Sequence, residues 1–274
     1  MWKLLIPTLL ISSAVYADID SKVEDFLEDS FGKNPNVSDV DVKVVYDKPL
    51  EEVKGWRGVI VDVSAKIKLQ TKEQKIKQKM IWFTDGNVIS KDLIDLDTGE
   101  SLRDSVSPQF QASFYKKENL IYGNPNATHK VAIFSDPLCP FCRRFVPKAI
   151  AKMKKYPNKF AIYYYHFPLQ SLHPASVALT QAVEVARKQG KKDAILKLYD
   201  VNINPRERDV RKILKAFNDT MLTNIKPSDL NNEEIKKHLQ DDFDIGNEVM
   251  VKGTPTMFFD GKLDRSREKY KKAL

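Results

Sequence analysis

Residues 131–142 have the sequence Val-Ala-Ile-Phe-Ser-Asp-Pro-Leu-Cys-Pro-Phe-Cys, which is the clearest structural pattern in the chain. It begins with four apolar residues, a run typical of a buried strand, and ends with the only two cysteines of the chain, Cys139 and Cys142. Pro140 follows the first cysteine, where a helix tolerates a missing N–H group. The pattern predicts a strand that leads into a helix whose first turn carries two thiols.

The start of that helix is expected to make Cys139 reactive. Its unpaired N–H groups and its positive dipole end favour a thiolate, which lowers the pKa of a thiol placed there. We predict that Cys139 is the nucleophile and that solvent can reach it. Cys142, one turn further and more buried, would then resolve a mixed disulfide by attacking Cys139.

The N-terminus has the pattern of a secretory signal. Lys3 precedes an apolar run over residues 4–11, and Val15-Tyr16-Ala17 fits a cleavage site after Ala17. The run is much shorter than the ~20 residues that a membrane-spanning helix needs. We therefore predict a signal peptide over residues 1–17. The C-terminal residues 272–274 do not form an endoplasmic reticulum retention signal, which favours a bacterial periplasm.

Export would place the two cysteines in an oxidising compartment, as a structural bridge or as a redox centre. A bridge across two residues removes little entropy from the unfolded chain, so the redox centre is favoured. Metal binding is the other alternative. A structural zinc site needs four ligands, and the four histidines show no zinc-finger spacing: His129, His166, His173 and His238. We predict no metal and no cofactor.

Charge is distributed unevenly along the chain. The net charge is −5 over residues 18–104 and +12 over residues 105–274. The basic residues are dispersed along predicted helices and are not interleaved with aromatic residues, as nucleic-acid-binding motifs require. We expect solvated helix faces and no nucleic-acid partner.

Residues 18–96 are predicted to form one helix packed on a small antiparallel sheet. Apolar residues recur at helical spacing from Ile19 to Leu27, and three runs near residues 40–44, 59–69 and 76–82 alternate like strands. A unit this small is marginal by itself, and its free sheet edge favours pairing with a second copy. Residues 97–118 read as a linker with helix-compatible sequence.

Residues 119–274 are predicted to form a second domain of βαβ order. A strand near residues 160–165 follows the helix that begins at the cysteines, and a long helical insertion covers about residues 170–248. A right-handed crossover would make the first two strands parallel. Residues 253–256, Gly-Thr-Pro-Thr, then precede a last apolar strand.

This combination resembles the thioredoxin fold, and more closely the bacterial periplasmic disulfide-bond (Dsb) proteins of the DsbC/DsbG type. The resemblance rests on residues 131–142, on Pro147 inside the following helix, and on Thr254-Pro255 at the position of the cis-proline loop. It implies an α+β fold with an N-terminal cystatin-like dimerisation domain, a linker helix and a C-terminal thioredoxin-fold domain.

The resemblance also implies roles for residues outside the cysteine pair. Thr254 and Pro255 would bind substrate, and Pro140 and Phe141 would tune the redox potential. Phe141 replaces the histidine of the DsbA-type centre, so we expect a milder oxidant than DsbA. Ile133 stands where thioredoxin has a buried acid that accepts protons. Asp136 is expected to cap the helix or a turn, with a catalytic role as the less favoured alternative.

The function predicted from these features is thiol–disulfide interchange on misoxidised secreted proteins, as an isomerase or reductase in a homodimer. The partners would be unfolded or misoxidised chains and a membrane redox partner, either a DsbD-like reductant or a DsbB-like oxidant. Two alternatives stay open: a dimeric DsbA-like oxidase, and a holdase chaperone with a secondary redox centre. A one-domain reductase for cytochrome maturation is disfavoured because it would assign no function to the N-terminal domain predicted over residues 18–96.

Overall fold

The computed structural model describes residues 11–69 and 72–274. The chain forms two compact units, Met1–Ser107 and Pro108–Leu274. The predicted linker, residues 97–118, falls on both sides of this boundary. Of the predicted signal peptide, residues 1–10 lie outside the described residues, and the rest belongs to the first helix. Over the described part of the chain, no helix has the length and apolar character needed to cross a membrane.

The first unit is a helix on a four-stranded antiparallel sheet whose strands lie in chain order. It contains the predicted helix and the three predicted strands, together with one more strand and one short helix. The elements are α1 (Ile11–Gly32), β1 (Val37–Pro49), β2 (Arg57–Leu69), β3 (Lys72–Thr84), β4 (Ile89–Ser90) and α2 (Arg103–Val106).

Helix α1 covers one face of this sheet and part of its edge. Val23 and Leu27, one helical turn apart, pack with alternate residues of β2 in the core of the unit. The carboxylates of Glu24 and Glu28 accept hydrogen bonds from two N–H groups of β1, at 2.7 and 2.8 Å. These carboxylates cover part of the edge that the sequence predicted to be free, which is one way in which proteins protect edge strands.

The linker helix predicted between the domains is not formed. Helix α2 has four residues, and Ser107 leaves the helical conformation with φ −56° and ψ 137°. Pro108 explains this ending, because a proline disfavours helical backbone in the residue before it. The chain then makes two short 3₁₀ turns, Ala112–Phe114 and Lys117–Asn119.

The second unit is built on a five-stranded sheet in the order β5-β7-β6-β8-β9. The central pair, β6 and β7, is parallel as predicted, and the other pairs are antiparallel. The strands are β5 (Leu120–Tyr122), β6 (His129–Ser135), β7 (Phe160–His166), β8 (Thr256–Phe259) and β9 (Lys262–Leu263). The helices are α3 (Pro140–Met153), α4 (Ala175–Lys188), α5 (Ala194–Lys197), α6 (Val210–Met221), α7 (Glu233–Glu248) and α8 (Lys269–Lys272).

Both faces of this sheet are covered, which explains why its central strands are apolar along most of their length. Val131 and Ile133 point into a core that contains residues of α3, α4 and α6. Ala132 and Phe134 point to the opposite face, where Phe110 and Ile245 pack. The alternation of side chains along β6 therefore divides the unit into two hydrophobic layers.

Buried polar contacts attach two helices of the insertion to the end of β7. On α7, the carboxylate of Asp242 accepts hydrogen bonds from the backbone N–H of His166 and the side-chain amide of Asn119, at 2.8 and 2.6 Å. On α4, Glu184 pairs with the His166 ring and with Arg187, both at 2.8 Å. Burial raises the pKa of Asp242 well above its usual range. These contacts attach α4 and α7 to the C-terminal end of β7.

Gly123 tests the close backbone approach between the end of β5 and the start of β7. It has φ +88°, and a Cβ atom placed on it would lie 1.9 Å from the carbonyl oxygen of Phe160. We expect Gly123→Ala to lower the free energy of unfolding by about 2–4 kcal/mol, because backbone must move and the side chain disfavours this φ. Gly190→Ala is the matched control, since Gly190 has φ +86° with no atom within 4 Å. Chemical unfolding of both variants measures the difference, and equal losses would contradict the clash.

Candidate active site

The two cysteines lie where β6 ends and α3 begins. Cys139 is the N-cap residue of α3, with extended backbone, and Pro140 occupies the first position of the helix. The backbone carbonyl of Cys139 accepts the hydrogen bond of the Arg143 N–H at 3.0 Å. Both cysteines are free thiols. Cys139 is only 4% exposed and Cys142 is fully buried. The low exposure of Cys139 contradicts the prediction that solvent can reach this residue.

The two thiols have opposite pKa shifts. The pKa of Cys139 is lowered to about 5, mainly because the Cys142 thiol donates a hydrogen bond to the Cys139 sulfur, with burial opposing the shift. The N–H groups of Phe141 and Cys142 and the Thr254 side chain also stabilise the anion. Burial raises the pKa of Cys142 far above its usual range, and its hydrogen bond to Cys139 raises it further. At neutral pH the pair therefore holds one thiolate, on Cys139.

The loop before β8 lies against this pair. The Thr254-Pro255 peptide bond is cis, and the carbonyl oxygen of Thr254 is 3.4 Å from the Cys139 sulfur. Among the described residues, the buried hydroxyl of Thr254 has no hydrogen-bond partner. This hydroxyl favours the ionised form of either sulfur and so lowers the pKa of both thiols. Pairing of β8 with β6, in register Phe134 to Thr256, brings the loop to the cysteines.

The residues between the cysteines present an apolar surface next to the pair. The ring of Phe141 is 63% exposed, although aromatic side chains are usually buried. The Arg144 guanidinium lies over this ring, 5.1 Å from its centroid. The sequence-predicted site residues Cys139, Phe141, Cys142 and Thr254 are thus close together. Their roles in catalysis and binding stay predictions.

Asp136 is a buried structural centre and not the N-cap of α3. One carboxylate oxygen accepts hydrogen bonds from the Leu138 N–H and the Ser176 hydroxyl, at 2.7 and 2.6 Å. The other accepts from the Leu169 N–H at 2.8 Å and pairs with the His173 ring at 2.9 Å. The predicted turn cap is therefore present. Four partners occupy the carboxylate, which argues against its alternative role as a proton acceptor for the cysteines.

Sequence reasoning did not identify three hydroxyl groups behind Cys142. Ser135 ends β6, Tyr164 belongs to β7, and Tyr199 comes from the helical insertion. The Ser135 and Tyr199 hydroxyl oxygens are 2.6 Å apart, and those of Tyr199 and Tyr164 are 2.9 Å apart. Ile133, at the position of the missing acid, is fully buried. A serine that ends a strand just before a cysteine motif is the one sequence signal that points to this group.

The comparisons with known proteins agree with this fold. A family model described as Thioredoxin matches residues 116–274. No curated protein sequence matches the chain. Within the described residues, no group of three or more His, Cys, Asp or Glu side chains is arranged to hold a metal ion.

Several solved structures are similar at low identity. A thioredoxin-like oxidoreductase from Silicibacter pomeroyi shares 21% identity over 58% of this chain and 92% of its own, with a TM-score of 0.47. BdbD from Bacillus subtilis shares 20% over 60% and 91%, with a TM-score of 0.48. Proteus mirabilis ScsC shares 20% over 59% and 77%, with a TM-score of 0.46.

The family match, and not these weaker likenesses, identifies the second unit. It confirms the predicted thioredoxin fold and the predicted enzyme class, a thiol–disulfide oxidoreductase. It does not distinguish the DsbC/DsbG type from other Dsb-like types. Because the matched residues are more than half of the sequence, the chain belongs to the thioredoxin family.

Proposed function

We propose that the protein is a disulfide isomerase or reductase of the DsbC/DsbG type that acts on misoxidised secreted proteins. One observation carries the proposal: the Cys139 sulfur lies at the start of α3, 3.4 Å from the Thr254 carbonyl oxygen, with its pKa lowered to about 5, while Cys142 is fully buried with its pKa raised. A thiolate at neutral pH is the form that attacks disulfides. A resolving residue must be a nearby thiol that stays protonated until a mixed disulfide forms on Cys139, and Cys142 meets this requirement.

The proposed reaction begins when the Cys139 thiolate attacks a disulfide of the client protein. A bond forms between Cys139 and one client sulfur, and the other client sulfur leaves as a thiolate. In isomerisation, a client thiolate then attacks elsewhere and finally displaces Cys139, so the enzyme returns to its dithiol form. In reduction, Cys142 attacks Cys139 and releases the client as a thiol.

Client binding is proposed for the Thr254-Pro255 loop and for Phe141. The loop lies at the reactive sulfur, and Phe141 gives an exposed aromatic ring that can contact apolar side chains of an unfolded client. Pro140 and Phe141 would also set the redox potential. These assignments follow the resemblance to Dsb proteins and are supported by the positions of the four residues.

The isomerase proposal is favoured over the DsbA-like oxidase by the residue between the cysteines. Phe141 stands where the DsbA-type centre has a histidine, so no imidazolium adds to the groups that lower the pKa of Cys139. A less stabilised thiolate makes the disulfide less oxidising. Phe141 therefore supports a milder oxidant than DsbA.

The cellular setting is part of the same proposal. The protein would act in the periplasm after removal of residues 1–17, as a homodimer through a cystatin-like N-terminal domain, and a membrane redox partner would restore its cysteines. The helix-on-sheet form of the first unit supports that domain type. Sedimentation of the full chain as a monomer would contradict the dimer. A holdase role remains the second candidate, supported by the exposed Phe141.

Alkylation of the reduced protein tests the thiolate assignment. We expect the rate of Cys139 carboxamidomethylation to rise with pH and to reach half of its plateau near pH 5, because only the thiolate reacts. A free cysteine has its midpoint near pH ~8.5. Mass spectrometry after digestion assigns the modified residue, and the Cys142→Ala variant shows how far the second thiol contributes. A midpoint above about pH 8 for the wild type would contradict the proposal.

Two cysteine variants test the assigned roles. We expect Cys139→Ala to abolish turnover of scrambled ribonuclease, because no thiolate then attacks the client. Cys142→Ala should keep the attack and accumulate a mixed disulfide with the client, visible on a non-reducing gel. Suppression of client aggregation, measured for wild type and Cys139→Ala, separates the holdase. The holdase function would be favoured if Cys139→Ala suppressed client aggregation fully and if neither the wild type nor this variant turned over scrambled ribonuclease.

The redox state in cells separates isomerase from oxidase. We expect alkylation trapping to find Cys139 and Cys142 mostly reduced. We also expect a reduction potential between those of thioredoxin, about −270 mV, and DsbA, about −120 mV. Glutathione equilibria followed by mass spectrometry give the potential. A mostly oxidised pair in cells, with a potential near that of DsbA, would instead support the oxidase.

A further inference from the structure

The Cys142 sulfur is fully buried, yet it must become an anion to resolve a mixed disulfide. A buried anion is costly unless donors surround it. Burial raises the pKa of the Cys142 thiol, and hydrogen bonding by the side chains of Ser135 and Thr254 and by the backbone of Asp136 opposes this rise. Ser135 is the donor of special interest because it is connected to further hydroxyl groups.

The hydroxyl groups of Ser135, Tyr199 and Tyr164 form a buried chain behind Cys142. The oxygen atoms are 2.6 Å apart between Ser135 and Tyr199, and 2.9 Å apart between Tyr199 and Tyr164. Ser135 is fully buried, Tyr164 is 1% exposed and Tyr199 is 5% exposed. A low local dielectric strengthens such bonds, and successive hydroxyl groups polarise one another.

In each of these pairs either oxygen can be the donor. When Cys142 is ionised, its negative sulfur is the stronger acceptor, so the Ser135 proton turns to that sulfur. Tyr199 can then donate to Ser135, and Tyr164 to Tyr199. In this arrangement each hydroxyl donates once, and the row ends at the atom that becomes negative.

We propose that Ser135 is a catalytic residue of the resolving step, donating a hydrogen bond to the Cys142 sulfur as it becomes a thiolate, and that Tyr199 and Tyr164 are positioning residues that orient the Ser135 hydroxyl. The inference rests on the proposed role of Cys142. Ser135 would then stabilise the Cys142 anion in a site that lacks the buried acid of thioredoxin, whose position is occupied by Ile133.

The step balances without another reactant. Cys142 loses its thiol proton, and its sulfur forms a bond to the Cys139 sulfur. The bond between Cys139 and the client sulfur breaks, and the client sulfur leaves with the electron pair and takes up the proton, directly or through water. The enzyme dithiol is oxidised to the disulfide, and the client disulfide bond is reduced.

The size of the effect follows from the strength of one charge-assisted hydrogen bond. Its loss lowers the thiolate population roughly 10- to 100-fold. The more basic thiolate is also more nucleophilic, with a Brønsted coefficient of about 0.4–0.5. We therefore expect removal of the Ser135 hydroxyl to slow resolution about 3- to 10-fold at neutral pH.

The test is the reaction of the reduced full chain with excess 4,4′-dithiodipyridine, followed by release of thiopyridone. The first equivalent reports the attack of Cys139 and rises with reagent concentration. The second reports displacement by Cys142 and does not depend on that concentration. We expect Ser135→Ala to leave the first phase unchanged and to slow the second about 3- to 10-fold. Ser135→Thr, which keeps the hydroxyl, should restore most of the rate.

Tyr199→Phe and Tyr165→Phe are the paired variants for the rest of the chain. Both lose one hydroxyl of a buried tyrosine, but the Tyr165 hydroxyl donates to the carbonyl of Phe114 and not to this chain. We expect Tyr199→Phe to slow the second phase about 2- to 3-fold and Tyr165→Phe to leave it unchanged. If Ser135→Ala does not fold, Tyr199→Phe alone decides.

Three results would overturn the inference: an unchanged second phase in Ser135→Ala, an unchanged second phase in Tyr199→Phe where Ser135→Ala does not fold, or an equal slowing by Tyr165→Phe. Failure of the proposed function has a different signature. In that case the wild-type first phase is no faster than that of a free thiol, or the second equivalent is not released. The two phases therefore separate a wrong role for Ser135 from a wrong role for the cysteine pair.

Discussion

The hydrogen bond from the Cys142 thiol to the Cys139 sulfur is the interaction on which the site depends. It assigns one negative charge to two neighbouring sulfur atoms, because the donor stays protonated when the acceptor is ionised. The helix start and the Thr254 side chain add to this stabilisation, and burial opposes it. In the proposed mechanism, the Cys139 thiolate therefore attacks the client, and the Cys142 thiol resolves the mixed disulfide.

Holding two sulfurs and the Thr254 carbonyl at one place requires long-range structure. Cys139 and Cys142 are fixed by the passage from β6 to α3, and Thr254 is fixed by the pairing of β8 with β6. Asp136 stabilises the turn between β6 and α3. Its carboxylate accepts hydrogen bonds from the Leu138 N–H within the turn and from Leu169 and Ser176 at the start of the helical insertion. The insertion thus supports the turn that presents the cysteines.

The fold was predictable where local pattern and tertiary environment agree. The alternation in β2 and the continuous apolar run of β6 predicted their strands, because one sheet face is covered in the first case and both in the second. The linker helix was a wrong prediction: residues 109–118 are helix-compatible, but α2 ends at Val106 because Pro108 disfavours helical backbone at Ser107, and the chain then forms two short 3₁₀ turns. Helix propensity is a weak constraint when the following segment packs its aromatic rings into a core, as Phe110 does.

From the sequence we could predict the cysteine pair, its position at a helix start and a thioredoxin fold around it, because these predictions rest on short motifs whose residues are neighbours in the chain. The packing of distant segments sets how deeply Cys139 is buried, gives Asp136 four partners, and brings Ser135, Tyr164 and Tyr199 together behind Cys142. The three hydroxyl groups come from two strands and the insertion. No spacing along the chain encodes their contact, because it is created by the packing of the sheet against the helices.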